Sequence, residues 1–173
     1  MWDTEAQRRA VRKALGIAKE NGVKVAFDLA DPFAVGRYRS DFLSLLENYC
    51  DIVFANSEEA RFLFSNYDAY ECCRSMGKLS KIAIVKKGKK GSYISDNGKI
   101  IEIPLYGTKN PVDTTGAGDT YAAGFLYGYT KGYPTEKSGR IASFLAGEII
   151  SQLGAQFTPE KAKELAERIS SGL

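Results

Sequence analysis

The chain has 173 residues, 44% hydrophobic and 26% charged, with a formal net charge of +3: enough for one domain with a real core, and too weakly basic to imply a nucleic-acid partner. It contains no histidine and three cysteines, Cys50, Cys72 and Cys73, which excludes Ser-His-Asp and Cys-His machinery and the usual zinc sites, suggests no disulfide framework, and points to a reducing cytoplasm. No apolar run approaches the roughly 20 residues of a membrane span, and Met1-Trp2-Asp3-Thr4-Glu5 has neither the basic start nor the apolar stretch of a signal peptide.

The elements alternate along the chain. Ala6, Ala10, Val11, Ala14, Leu15 and Ala18 recur at helical spacing over 4–21, and Asn21-Gly22 closes that helix. Val23 to Leu29 reads as a buried strand, broken by Asp31-Pro32. Ser40 to Asn48 predicts a helix with Phe42, Leu43, Leu45 and Leu46 inward; Ile52 to Ala55 predicts a strand, and Asn56-Ser57 starts a helix containing Ala60 to Phe64. A short helix over Tyr70–Gly77, a central strand over Ile82–Val85 and a hairpin about Asp96-Asn97-Gly98 follow, the last flanked by 91–95 and 99–103. Three helices are expected at about 117–131, 136–152 and 159–171. The alternation predicts an α/β fold with a parallel sheet covered on both faces, one continuous domain over 1–173, and function at the strand C-termini. No Gly-x-Gly-x-x-Gly follows the first strand, which argues against a dehydrogenase.

The most informative string is Asp113-Thr114-Thr115-Gly116-Ala117-Gly118-Asp119-Thr120, a glycine-rich loop opening onto a helix. Asp and Thr before a helix are common caps, and two glycines readily make a turn. The same arrangement also makes an anion hole from the N–H groups of Gly116, Ala117 and Gly118, with the helix dipole favouring negative charge. An acid beside that hole, Asp119, suits deprotonation of an alcohol attacking a phosphate. Continued by Tyr121-Ala122-Ala123-Gly124-Phe125, the string closely resembles the C-terminal signature of the ribokinase-like (PfkB-type) carbohydrate kinases. The segment Asp28-Leu29-Ala30-Asp31-Pro32-Phe33 is similar to that family's adenosine-kinase-like branch, with Ala30 where that branch carries Ser.

The resemblance implies a ribokinase-like three-layer αβα (Rossmann-like) fold and ATP-dependent phosphoryl transfer to a hydroxyl of a nucleoside or sugar, with Asp119 as base and Gly116-Ala117-Gly118 as anion hole. Other strings take meaning from it. Asn56-Ser57-Glu58-Glu59 is a capping box read alone; in the family an Asn-x-x-Glu at this place orders Mg2+ and phosphate through water, which implies that role for Asn56 and Glu59. Lys86-Lys87-Gly88-Lys89-Lys90-Gly91 is a solvated turn read alone; the resemblance places Lys86, Gly88, Gly91 and Thr115 near the ATP phosphates, with Lys86 standing where Thr is common. Several relatives hold K+ through backbone carbonyls, which by position would be those of Asp113, Thr115, Ile149, Gln152 and Gly154. Gly124 and Gly128, four apart, read as close helix packing, and Trp2 as a packing residue.

The resemblance covers only the C-terminal half of the family's usual length, so the chain is expected to be its ATP-binding part, without the N-terminal half and lid. That predicts an exposed sheet edge, with low stability or a homodimer unless the missing half is supplied. The partner implied is a small-molecule acceptor, with no nucleic acid and no membrane. The alternative reading is a truncated, catalytically inactive nucleotide-binding fragment or assembly module.

Overall fold

Ile52-Val53-Phe54-Ala55 and Ile82-Ala83-Ile84-Val85 are short and rich in β-branched residues, which suits fully buried strands. In the computed structural model, which describes residues 2–106 and 111–172, they form β2 (Ile52–Asn56) and β3 (Ile82–Lys86), each buried at four successive positions. β1 (Ala26–Asp28) pairs parallel with β2, Phe27 opposite Val53; β2 pairs parallel with β3, Asn56 opposite Lys86. β4 (Ser92–Asp96) and β5 (Lys99–Ile103) form the expected hairpin. Asn97 and Gly98 both take positive φ, 47° and 85°, as a type I′ turn requires. The sheet order is β1-β2-β3-β4-β5, so parallel strands are joined to an antiparallel hairpin.

The helices, in chain order, are α1 (Glu5–Glu20), α2 (Pro32–Arg37), α3 (Arg39–Tyr49), α4 (Ser57–Phe64), α5 (Ala69–Met76), α6 (Ala117–Thr130), α7 (Thr135–Ile149) and α8 (Pro159–Ser170); those up to α5 alternate with strands as expected. One expectation is corrected. The strand expected over Val23–Leu29 pairs at only three residues and is buried only at its end: Val23 is 59% exposed and Ala26 is exposed, whereas Leu29 is 3% exposed. β1 stands at the end of the sheet order, and at Val25 one carbonyl accepts from both Asp51 and Ile52 N–H, which interrupts the ladder. The Asp31-Pro32 break, in turn, opens a helix. Pro32 occupies the first helical position, and the Asp31 side chain accepts from Phe33 N–H at 2.8 Å.

Contacts divide the chain into two compact units, Met1–Lys87 with Tyr93–Ile100, and Gly88–Ser92 with Ile101–Leu173. In the first, Leu15, Val35, Phe42, Leu46, Leu63 and Met76 pack with Val53, Ala55, Ala83 and Val85 of the strands. Trp2 belongs to this core, its ring 5.3 Å from that of Phe42. In the second, Gly124 and Gly128 let α6 and α7 approach closely. A Cβ on Gly124 would lie 2.9 Å from Ala142 Cα, and one on Gly128 2.6 Å from Ser138 Oγ. Leu165 and Ile169 of α8 pack with Ile141 and Phe144 of α7. Among the described residues no helix is long and apolar enough to cross a membrane.

Candidate active site

In the first unit, parallel pairing brings the C-terminal ends of three strands to one edge, and each ends in a polar residue: Asp28, Asn56 and Lys86. Asn56 caps α4 in a reciprocal box. Its Oδ1 accepts from Glu59 N–H at 2.9 Å, and its own N–H donates to Glu59 Oε2 at 2.7 Å. Asn56 Nδ2 adds a third bond, to Glu59 Oε1 at 2.7 Å. Both carboxylate oxygens of Glu59 are thus held by one residue, and Glu59 is 3% exposed. Burial pushes its carboxyl above the usual range; the Asn56 N–H opposes this, Asp28 and Asp31 reinforce it, and Lys86 counters them. Lys86 Nζ donates to Asp28 Oδ2 at 2.8 Å, with the two side chains 14% and 27% exposed.

The capping role of Asn56 and Glu59 is therefore met in full. Among the described residues no cluster of three or more acidic, His or Cys groups could hold a metal directly. Oxygens already bonded once and largely buried fit an outer-sphere role, through water, better than direct ligation.

In the second unit, Gly88–Lys90 forms one 3-10 turn, closed by Gly91 N–H donating to Gly88 carbonyl at 3.0 Å. Lys89 and Lys90 are exposed on it, and among the described residues neither has an ion-pair partner. Gly91 presses on the end of β5, where a Cβ would lie 2.1 Å from Ile103 carbonyl oxygen.

The loop ahead of α6 is held by Asp113. Its Oδ1 accepts from Thr115 N–H at 2.9 Å and its Oδ2 from Gly154 N–H at 3.0 Å. The N–H groups of Val112 and Asp113 both donate to Ile150 carbonyl, at 2.7 and 3.3 Å. The loop thus docks on the turn after α7. Bonds from Thr115 N–H, the Thr115 side chain and Gly154 N–H hold the Asp113 carboxyl below its ordinary range.

Gly116 precedes α6 in the left-handed region, φ 76°, and no side chain caps this helix start. Ala117 N–H donates to Thr114 carbonyl at 3.2 Å. Of the three amides assigned to the anion hole, Gly116 and Gly118 are the two without an acceptor among the described residues. Asp119 lies in the first turn of α6, exposed and without a hydrogen-bond partner among the described residues. Of the five carbonyls assigned to a monovalent cation, that of Ile149 accepts from Gln152 N–H at 3.3 Å. The stretch before the loop, Ile103–Val112, includes 107–110, which lie outside the described residues.

An uncapped, glycine-led helix start with an exposed acid in its first turn is an arrangement able to receive an anion such as a phosphate. Residues 2–162 match the pfkB family carbohydrate kinase model, and the chain belongs to that family. It is 40% identical over 134 residues to an uncharacterized sugar kinase of Archaeoglobus fulgidus, covering 76% of this chain and 52% of that protein. It is 32% identical over 167 residues to a nucleoside kinase of Methanocaldococcus jannaschii, covering 96% and 52%. The crystal structure of adenosine kinase from Sinorhizobium meliloti superposes with a TM-score of 0.89 at 36% identity, over 96% of this chain and 51% of that one. The chain spans about half the length of the relatives it matches. The ribokinase-like fold expected from the sequence is shared with them.

Three features escaped the sequence reading: Asp28 as the partner of Lys86, Ala155 behind Gly116, and a bond between Tyr121 and Ser92. The acid closing β1 was a visible signal for the first. Nothing local announces the other two.

Proposed function

We propose that the chain carries the phosphate-side machinery of a kinase that transfers the γ-phosphate of ATP to a hydroxyl of a nucleoside or sugar. The observation that carries this reading is the start of α6, where Gly116 and Gly118 have N–H groups without an acceptor among the described residues, beside the exposed Asp119. The acceptor oxygen attacks the γ-phosphorus while the bond to the β,γ-bridging oxygen breaks and ADP leaves. Asp119 accepts the hydroxyl proton, and the amides at the helix start receive the phosphoryl oxygens. Mg2+ supplies charge neutralisation across the phosphates when bound, with Asn56 and Glu59 ordering its waters. Lys86, Gly88, Gly91 and Thr115 are assigned to the ATP side, Lys86 through its pair with Asp28 rather than by direct phosphate contact. The carbonyls of Asp113, Thr115, Ile149, Gln152 and Gly154 are assigned to K+ on the family resemblance alone.

A nucleoside acceptor is supported by the likeness to a nucleoside kinase and an adenosine kinase, and a sugar by the likeness to a sugar kinase. The test is calorimetric titration with Mg-ATP, followed by transfer of labelled γ-phosphate to adenosine, cytidine and free sugars. Micromolar binding lost in Gly118→Val, with turnover lowered about 10²–10⁴-fold in Asp119→Asn, supports the reading. Binding without transfer to any acceptor identifies a nucleotide-binding module instead, and a folded chain that ignores Mg-ATP overturns the reading.

A further inference from the structure

The proposal below rests on the kinase reading and concerns how its two phosphate-facing segments are held together. Tyr121 follows Asp119 by two residues on α6, and its ring is buried, 6% exposed. Its Oη lies 2.7 Å from Ser92 Oγ, and Ser92 is 1% exposed. A buried hydroxyl without a partner is costly, and a Phe would fill the same space without that cost. The phenol therefore adds direction rather than burial.

Ser92 is the first residue of β4, immediately after the turn that carries Lys89 and Lys90. Gly91, between them, is pressed on Ile103 carbonyl. The turn thus approaches the end of β5 closely at Gly91 and is tied to α6 through Ser92, and all of these residues belong to the same compact unit. The two lysines it presents are exposed and have no ion-pair partner among the described residues.

We propose that Tyr121, through Ser92, is a positioning residue that fixes the Gly88–Lys90 turn against the helix carrying Gly116–Asp119, so that Lys89, Lys90 and the helix start engage one phosphate chain together. Tyr121 touches no substrate; it acts through the turn. Its effect on ligand binding therefore requires the lysines.

The test is a cycle read by calorimetry with Mg-ATP: wild type, Tyr121→Phe, Lys89→Gln with Lys90→Gln, and all three substitutions combined. Tyr121→Phe should weaken binding roughly twofold to tenfold, the span of one net hydrogen bond. The lysine pair should weaken binding and flatten its salt dependence. In the lysine-free background Tyr121→Phe should cost nothing further. Ser92→Ala reports the same contact from the other side and should reproduce Tyr121→Phe. An equal loss in both backgrounds, or none in either, overturns the proposal. Amide exchange at 89–92 should quicken in Tyr121→Phe while that of α7 stays unchanged; unchanged exchange at the turn overturns it as well. If wild type binds and Gly118→Val does not, an additive cycle removes this proposal alone. If wild type itself fails to bind, the kinase reading falls and takes this proposal with it.

Discussion

Gly116→Ala tests the geometry of the anion hole directly. Gly116 sits at φ 76°, where an L side chain costs about 1–2 kcal/mol. A Cβ there would stand 2.6 Å from Ala155 Cβ and 2.9 Å from Ala155 Cα. Both are closer than carbon atoms tolerate, and overpacking of this kind costs about 1–3 kcal/mol. If the loop is held in place, the two add to about 2–5 kcal/mol of lost stability. If it yields, the helix-start amides move, and the cost appears as weaker Mg-ATP binding at nearly unchanged stability. Urea unfolding and calorimetric titration on the same sample read both. Ala155→Gly removes the 2.6 Å contact and leaves the backbone term and the 2.9 Å contact, so the double variant should recover part of the loss, measured against Ala155→Gly alone. Gly116→Ala with stability within about 0.5 kcal/mol of wild type and an unaltered affinity would refute the argument.

Lys86→Met should lower stability in urea by about 1–3 kcal/mol, because it leaves Asp28 half-buried without its ammonium; adding Asp28→Asn should restore most of that, and a neutral single variant would show that the pair contributes nothing. The Asp113 clamp should be acid-sensitive. Its carboxyl titrates lower folded than unfolded, so its contribution is fully present above about pH 4 and is lost as pH falls through the folded value. Asp113→Asn should therefore flatten the stability curve below about pH 4, and an unchanged curve would contradict the clamp. Burial pushes the thiols of Cys50 and Cys73 up to about 12 and that of Cys72 to about 11. Labelling by a disulfide reagent at pH 8 should follow unfolding; rapid labelling of folded protein would show that one of these sites is open.

What was legible in the chain was what a few adjacent residues decide. Asn56 and Glu59 are three apart and cap α4 with each other. Asn97-Gly98 demands a tight hairpin and receives one. The Gly116-to-Asp119 string reads well because a helix start, a left-handed residue and an acid in the first turn are all local. The rest depends on partners that sequence spacing cannot supply. A buried strand was expected at Val23–Leu29 because its composition is apolar, but burial is set by neighbours in the sheet, and β1 lies at its end. Lys86 finds Asp28 across 58 residues, and Tyr121 finds Ser92 across 29.

The Lys86 pair also bears on which lysines meet phosphate. Drawing Lys86 away would leave Asp28 unpaired and, beside it, a buried Glu59 whose charge Lys86 now offsets. That cost, about 1–3 kcal/mol, would be subtracted from any phosphate contact Lys86 gained. Among the described residues Lys89 and Lys90 have no such partner to lose, and both are exposed. On energetic grounds the burden of phosphate charge falls first on those two. Lys86 serves best where it stands, as the cation paired with Asp28 beside the buried Glu59 at the cap of α4. The distinction is measurable: salt dependence of Mg-ATP binding should fall with Lys89→Gln and Lys90→Gln, whereas Lys86→Met should be read chiefly in stability. The reverse pattern would assign Lys86 to the phosphates and make the Asp28 pair a resting contact of the unliganded site.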